Sequence, residues 1–313
     1  MKDYDIVVLR VLAILTIVLH HSMLAFSWPP HYHIEANIPI YANLMSQSLK
    51  DFGLGAFTFI SGYVLYYQNK KQEKWNSFLL KKIKRILIPC LLYGLLYHIF
   101  FLEFTCNIWP PAINGTHLWY LPMLFICIMI TSIDFYYKNS ISLIIIIWIL
   151  FCSLKFLFYS LTIISVFNYF PIFICGYFFN KYDFKNVLRK HKLIAYLIII
   201  LSITWIIRPL SLPFFSHTIK ELSYALSCFI IIFLIRKNKA VSVIINFLSN
   251  ESFTIYLQHQ FIINLLLISV FFKFGYYSSL FILSICAFFI PLGVSWSLSF
   301  MIKYLHIDVK KLN

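Results

Sequence analysis

Charge is scarce in this sequence. Only 12% of its 313 residues are Asp, Glu, Lys or Arg, and acidic side chains number just 11 against 26 basic ones. The seven cysteines are Cys90, Cys106, Cys127, Cys152, Cys175, Cys228 and Cys286. None forms a Cys-x-x-Cys pair and most lie in apolar runs, so neither a disulfide framework nor a metal cluster is expected. No Gly-x-Ser-x-Gly elbow occurs, which removes one common hydrolase signature. There is no repeat of clear period, no low-complexity tract and no second soluble domain. Asn114-Gly115-Thr116 matches a glycosylation sequon, but three residues specify little. The opening Met-Lys-Asp-Tyr-Asp lacks a basic n-region and a small-residue cleavage site. The first apolar run is therefore expected to stay as a span.

What is abundant is apolar surface. The chain is 61% hydrophobic, with 33 Phe and 21 Tyr, and its mean hydropathy is +0.83. A soluble domain of this length cannot hide so much, so the chain reads as a polytopic membrane protein. Ten apolar spans lie near 6–26, 48–67, 85–102, 118–136, 140–157, 161–180, 193–208, 219–235, 252–272 and 278–301. The net charge of +15 would suggest nucleic acid in a soluble chain. Here it falls in short loops, as the positive-inside rule expects, and no nucleic-acid partner is inferred. With ten spans, 20 of the 26 Lys and Arg collect on one side and five on the other, with Arg10 inside a span. The expected fold is all-α: about ten transmembrane helices around a central polar cavity, both termini cytoplasmic, in a single domain of residues 1–313.

The chain is organised around its first span. Residues 6–26 carry Arg10, His20 and His21. Arg10 and His21 are eleven residues apart, about three helical turns, so they share nearly one face and stand roughly 16 Å apart along the axis. An ionisable side chain at mid-depth costs ~2.5–3.5 kcal/mol on insertion scales and usually faces protein interior or a water-filled cavity. A snorkelling Arg10 and an interfacial histidine pair would explain the same residues without function.

Four further groups carry polar chemistry in or beside spans. Ser61, Gly62 and Tyr63 lie in the second span, where a Ser-Gly pair also suits close helix packing. Lys81, Lys82, Lys84 and Arg85 precede Pro89 at the entry to the third span. They read equally as headgroup anchors and as an anion site. His117 and Trp119 open the fourth span at its outer end, where Trp also belongs to the interfacial belt. His259, in the ninth span, is expected about two turns in from the cytoplasm, near the level of Arg10, although a buried histidine is often structural. The first outer loop carries His31, His33 and Glu35. It and the Pro-, Trp- and Asn-rich second outer loop are expected to roof the cavity. Arg10, Arg85 and His259 then form a low level, and His21, His117 and Trp119 a high one.

Taken together, Arg10 with His21, Phe59-Ile60-Ser61-Gly62-Tyr63, Arg85 with Pro89, His117-Leu118-Trp119-Tyr120, and Ser252 to His259 resemble the acyltransferase type 3 family of membrane-bound O-acyltransferases. The matches run in order along nearly the whole chain. The resemblance implies transfer of an acyl group, usually acetyl, from cytoplasmic acyl-CoA to a hydroxyl. The implied acceptor is a bacterial surface polysaccharide, such as lipopolysaccharide, or its lipid-linked precursor, and in some relatives a small molecule. The implied setting is the inner membrane, with acetyl-CoA as a substrate and no permanently bound cofactor or metal. His21 and Arg10 become the expected catalytic pair. Arg85, Lys81, Lys82, Lys84, Ser61, Gly62, Tyr63 and His259 become the expected donor side, and His117, Trp119 and Glu35 the acceptor side. In the resemblance the basic run before the third span is Arg-rich, whereas here it is mostly lysine. A neutral histidine suits removal of a hydroxyl proton, and a transient acyl-histidine is the other route open to it. The rival class is an exporter of polysaccharide or lipid-linked sugar, but no inverted repeat with paired broken helices is visible. A purely structural membrane subunit would leave Arg10 and His21 unexplained.

The orientation is directly testable. A reporter that is active only in the cytoplasm should work when fused to either terminus, and inactivity at both ends would reverse the topology.

Overall fold

A computed structural model describes residues 3–23, 40–69, 74–100, 117–136, 145–146, 149, 161–207, 216–235, 243–274, 285–294 and 297. Most of the first outer loop, Glu35 included, the second outer loop with its sequon, most of the fifth span and the C-terminal tail lie outside the described residues. The described residues are almost all helical, and no strand occurs among them. In chain order they form α1 (Tyr4–Ser22), α2 (Ile40–Asn69), α3 (Trp75–Lys82), α4 (Ile88–Phe100), α5 (Tyr120–Tyr136), α6 (Leu161–Lys181), α7 (Phe184–Lys190), α8 (Lys192–Ile207), α9 (Ser216–Ile235) and α10 (Val243–Phe274). The short apolar helix Ile285–Val294 follows as α11. Among the described residues, three stretches are long and apolar enough to cross a membrane: Tyr4–Ser22, His117–Asp134 and Ser216–Ile235. The protein is an all-helical membrane protein.

The helices gather into two compact units. The first comprises Met1–Leu54 and Ile235–Asn313, the second Gly55–Leu234.

In the first unit α1 is buried along most of its length, with Leu12 as its exposed apolar residue. Its partners are α10 and the first part of α2. A Cβ at Gly53 would sit 2.6 Å from Ile17 Cγ1 and 3.3 Å from the Ala13 carbonyl, so the missing side chain lets α2 cross close to α1. One end of this crossing is tied by His20, whose Nδ1 lies 3.0 Å from the Ser46 carbonyl and 2.9 Å from Ser46 Oγ. Contacts of residue 20 with 46 and of residues 13–17 with 53 make the two helices antiparallel.

In the second unit α2 and α6 interlock. A Cβ on Gly62 would come within 1.9 Å of the Phe173 carbonyl oxygen, and one on Gly176 within 2.0 Å of the Phe59 carbonyl oxygen. Each glycine thus admits the backbone of the other helix, the small-residue contact by which membrane helices pack. Around the crossing, Phe59, Phe179 and Phe229 meet at 5.1–5.7 Å, edge to face where Phe179 is a partner and tilted between Phe59 and Phe229. The helix entering the third span is continuous from Trp75 to Phe100 but changes register at Ile83–Leu87, a π-turn in which Ile88 N–H reaches the Ile83 carbonyl. Pro89 supplies the reason, because it has no N–H for the carbonyl of Arg85 and the helix must re-register around it.

The Gly62–Gly176 crossing predicts a sharp contrast. Gly176→Ala should destabilise the protein by ~1–3 kcal/mol or more through overpacking against backbone. Gly293→Ala, where a Cβ meets nothing within 4 Å, should leave thermal unfolding in detergent unchanged. Equal melting of the two variants would refute the tight crossing.

Candidate functional site

Polar side chains buried among apolar helices need protein partners, and in the first unit they converge on the end of α1. Arg10 and His21 lie in one uninterrupted helix, so helix rise keeps them roughly 16 Å apart. His21 is half-buried. Its Nδ1 is 2.8 Å from Nε2 of His259 on α10, with ring centroids 4.8 Å apart and planes tilted by 49°. His259 is wholly buried. Its Nδ1 faces the carbonyls of Tyr256 at 2.8 Å and Ile255 at 3.0 Å. The neighbour His20 is also in ring contact with His21 at 4.9 Å, but its Nδ1 is engaged by Ser46 on α2. The two adjacent histidines thus differ in role: His20 ties two helices, while His21 pairs with a second imidazole.

His259 therefore stands level with His21 and not with Arg10, which corrects the depth inferred from sequence. The reason is the helix start. The helix begins at Val243, nine residues ahead of the expected position 252, so a depth counted from 252 places His259 too low. Arg10 is half-buried. Among the described residues it makes no hydrogen bond, ion pair or ring contact.

The second unit holds the other expected residues. Lys81, Lys84 and Arg85 are exposed on the helix around the π-turn. Lys82 donates to Gln68 Oε1 and lies 5.1 Å over the Phe78 ring. Ser61 and Thr58 set their hydroxyls against the buried Tyr120 hydroxyl, the latter at 3.4 Å. Gly62 is occupied by the crossing with α6. Tyr63 is buried beneath the Lys185 ammonium at 5.5 Å, and its carbonyl accepts from Asn180 Nδ2 at 2.7 Å. His117 is buried and meets Tyr97 edge to face at 5.9 Å.

Trp119 belongs to a group that sequence reasoning missed. Its ring is 5.7 Å from that of Tyr169 on α6, and the Tyr169 hydroxyl donates to Glu221 Oε1 on α9 at 2.7 Å. Glu221 is buried. A Cβ at Gly55 would lie 2.5 Å from the Glu221 carbonyl oxygen, so that glycine lets α9 approach α2. Little signal was available in the sequence, because Glu221 follows Lys220 in the polar first turns of α9, where a charge reads as interfacial. A second buried acid, Asp134, is held by Lys181 Nζ at 2.6 Å and by the Tyr177 hydroxyl at 3.0 Å.

The family described as "Acyltransferase domain" matches residues 3–300, nearly the whole chain. No curated protein and no solved structure matches it.

The Tyr169–Glu221 contact gives a measurable coupling. Tyr169→Phe should destabilise by ~1.5–3 kcal/mol, the range for hydrogen bonds to charged groups. Combined with Glu221→Gln, the loss should fall short of the sum of the single effects. Strict additivity in thermal unfolding would show that the contact contributes nothing.

Proposed function

This chain belongs to the acyltransferase family that matches residues 3–300, and from that premise we propose that it transfers an acetyl group from cytoplasmic acetyl-CoA to a hydroxyl of a surface polysaccharide or its lipid-linked precursor. The setting of this reading is a bacterial inner membrane, crossed by about ten helices with both termini cytoplasmic. The observation that carries it is the shared helix of Arg10 and His21: a half-buried guanidinium without a protein partner among the described residues, and a paired imidazole three turns beyond it.

A guanidinium in an apolar span is satisfied by an anion, and its planar fork suits phosphate. Acyl-CoA carries phosphates at one end and the thioester at the other, joined by a long thin arm. With the phosphates at Arg10, the arm follows α1 outward over roughly 16 Å and brings the thioester to His21. Within the second unit, the exposed Lys81, Lys84 and Arg85, with Lys82, are cations of the kind that bind phosphate. His21 then takes the proton of the acceptor hydroxyl as its oxygen attacks the thioester carbonyl. The C–S bond breaks, the leaving thiolate recovers that proton from the imidazolium, and an ester and free CoA remain. In the acyl-histidine variant the same ring attacks the thioester first and passes the group to the hydroxyl. Half-buried Trp119 offers an aromatic ring face of the kind that stacks on a sugar, which supports its acceptor role in this reading.

The test is the acetyl content of the host's surface polysaccharide with and without the chain, together with three variants. His21→Ala should reduce transfer by about 10²–10⁴-fold, the usual contribution of a general base. His20→Ala should retain most of the rate per folded molecule. Arg10→Ala should weaken CoA binding about 10–100-fold, the worth of a charge-assisted phosphate contact. Unchanged acetylation without the chain would overturn the glycan acceptor, and unaltered CoA affinity in Arg10→Ala would overturn the donor site.

A further inference from the structure

The hydrogen bonds around His259 determine which nitrogen of His21 carries a proton. Both carbonyls facing His259 Nδ1, those of Ile255 and Tyr256, can only accept, so Nδ1 must be the protonated nitrogen. Each carbonyl has a second lone pair and still serves its own helix bond. A neutral imidazole has a single N–H, which leaves Nε2 of His259 as an acceptor. That acceptor is 2.8 Å from His21 Nδ1, so His21 Nδ1 must donate. The remaining nitrogen of neutral His21, Nε2, then holds the lone pair. The opposite assignment points a lone pair of His259 at two carbonyl oxygens, or places a charged imidazolium at a wholly buried position; both are unfavourable in an apolar helix contact.

We propose that His259 is a positioning residue that locks His21 in the Nδ1–H tautomer and so presents Nε2 as the basic nitrogen for acyl transfer. This rests on the reading of His21 as the acid–base or acyl-carrying group. The arrangement follows the logic of a catalytic histidine oriented by a third group, with a backbone-anchored neutral imidazole where a carboxylate often stands. Because His259 is neutral, it orients the ring without offering a charge to the imidazolium. His21 donates the same Nδ1–H to it before and after taking a proton, so the bond persists through the cycle. Anchoring to its own helix turn also removes any need for a further side chain to orient His259.

Two substitutions separate this role from simple packing. In His259→Gln the amide oxygen takes the place of Nε2, while the NH2 faces the Ile255 and Tyr256 carbonyls. In His259→Phe the ring volume remains and the acceptor is lost. Host membranes containing each full-length variant are given acetyl-CoA, and release of CoA thiol is followed with the endogenous acceptor present. Phe should lower kcat about 10–100-fold, the scale of a misplaced catalytic group, with the KM for acetyl-CoA unchanged. Gln should recover at least about tenfold over Phe. Independently, 15N solid-state NMR of histidine-labelled protein, with His21 assigned by its loss in His21→Phe, should show a protonated Nδ1 and a bare Nε2 on neutral His21. In His259→Phe the His21 signals should shift toward a mixture of tautomers. A protonated Nε2 in the wild type, or equal rates for Gln and Phe, would overturn the proposal. If His21→Phe kept full transfer, the catalytic reading of His21 would fail, while the NMR result would still decide the tautomer by itself.

Discussion

A polar side chain removed from water inside a packed helix can be satisfied only by another protein group or by substrate. The described polar residues largely obey this, and the ways in which they obey it reveal their roles. His20 is satisfied by Ser46, Asp134 by Lys181 and Tyr177, and the Asn180 amide by the Tyr63 carbonyl. These contacts tie helices together within one unit and require nothing further. Arg10 has no such partner among the described residues.

The histidine pair shows how local and tertiary constraints combine. A carbonyl three or four residues back along a helix lies within reach of a histidine's Nδ1, so α10 orients the His259 ring without outside help. The contact with α1 then transmits that orientation to His21. Neither helix could do this alone. α1 supplies a ring that is only half-buried, and α10 supplies the rigid partner behind it.

Glycine acts as the spacer that makes these approaches possible. Gly53 brings α2 against α1, Gly55 brings α9 toward α2, and Gly62 with Gly176 joins α2 to α6. Dispersion and polar contacts dominate helix association in lipid, so removing a side chain at a crossing gains contact along both backbones. Within the second unit, Gly62 makes room for the Phe173 carbonyl and Ser61 meets Tyr120.

Composition and periodicity alone determined that the chain is helical and membrane-embedded, because its apolar fraction exceeds what a soluble core can hide. Helix rise alone set the distance from Arg10 to His21, since both lie in one helix and no other element enters that estimate. What sequence could not supply was every relation between helices. His259 was assigned to the wrong level because its depth depends on where α10 begins, and hydropathy blurs a helix end that continues past its apolar core. Glu221 was passed over because its meaning comes from Tyr169, 52 residues away in sequence. The protonated nitrogen of His21 depends on a hydrogen bond spanning 238 residues. Only the packing of α1 against α10 could decide it, because the position of a single proton depends on which lone pairs surround the ring.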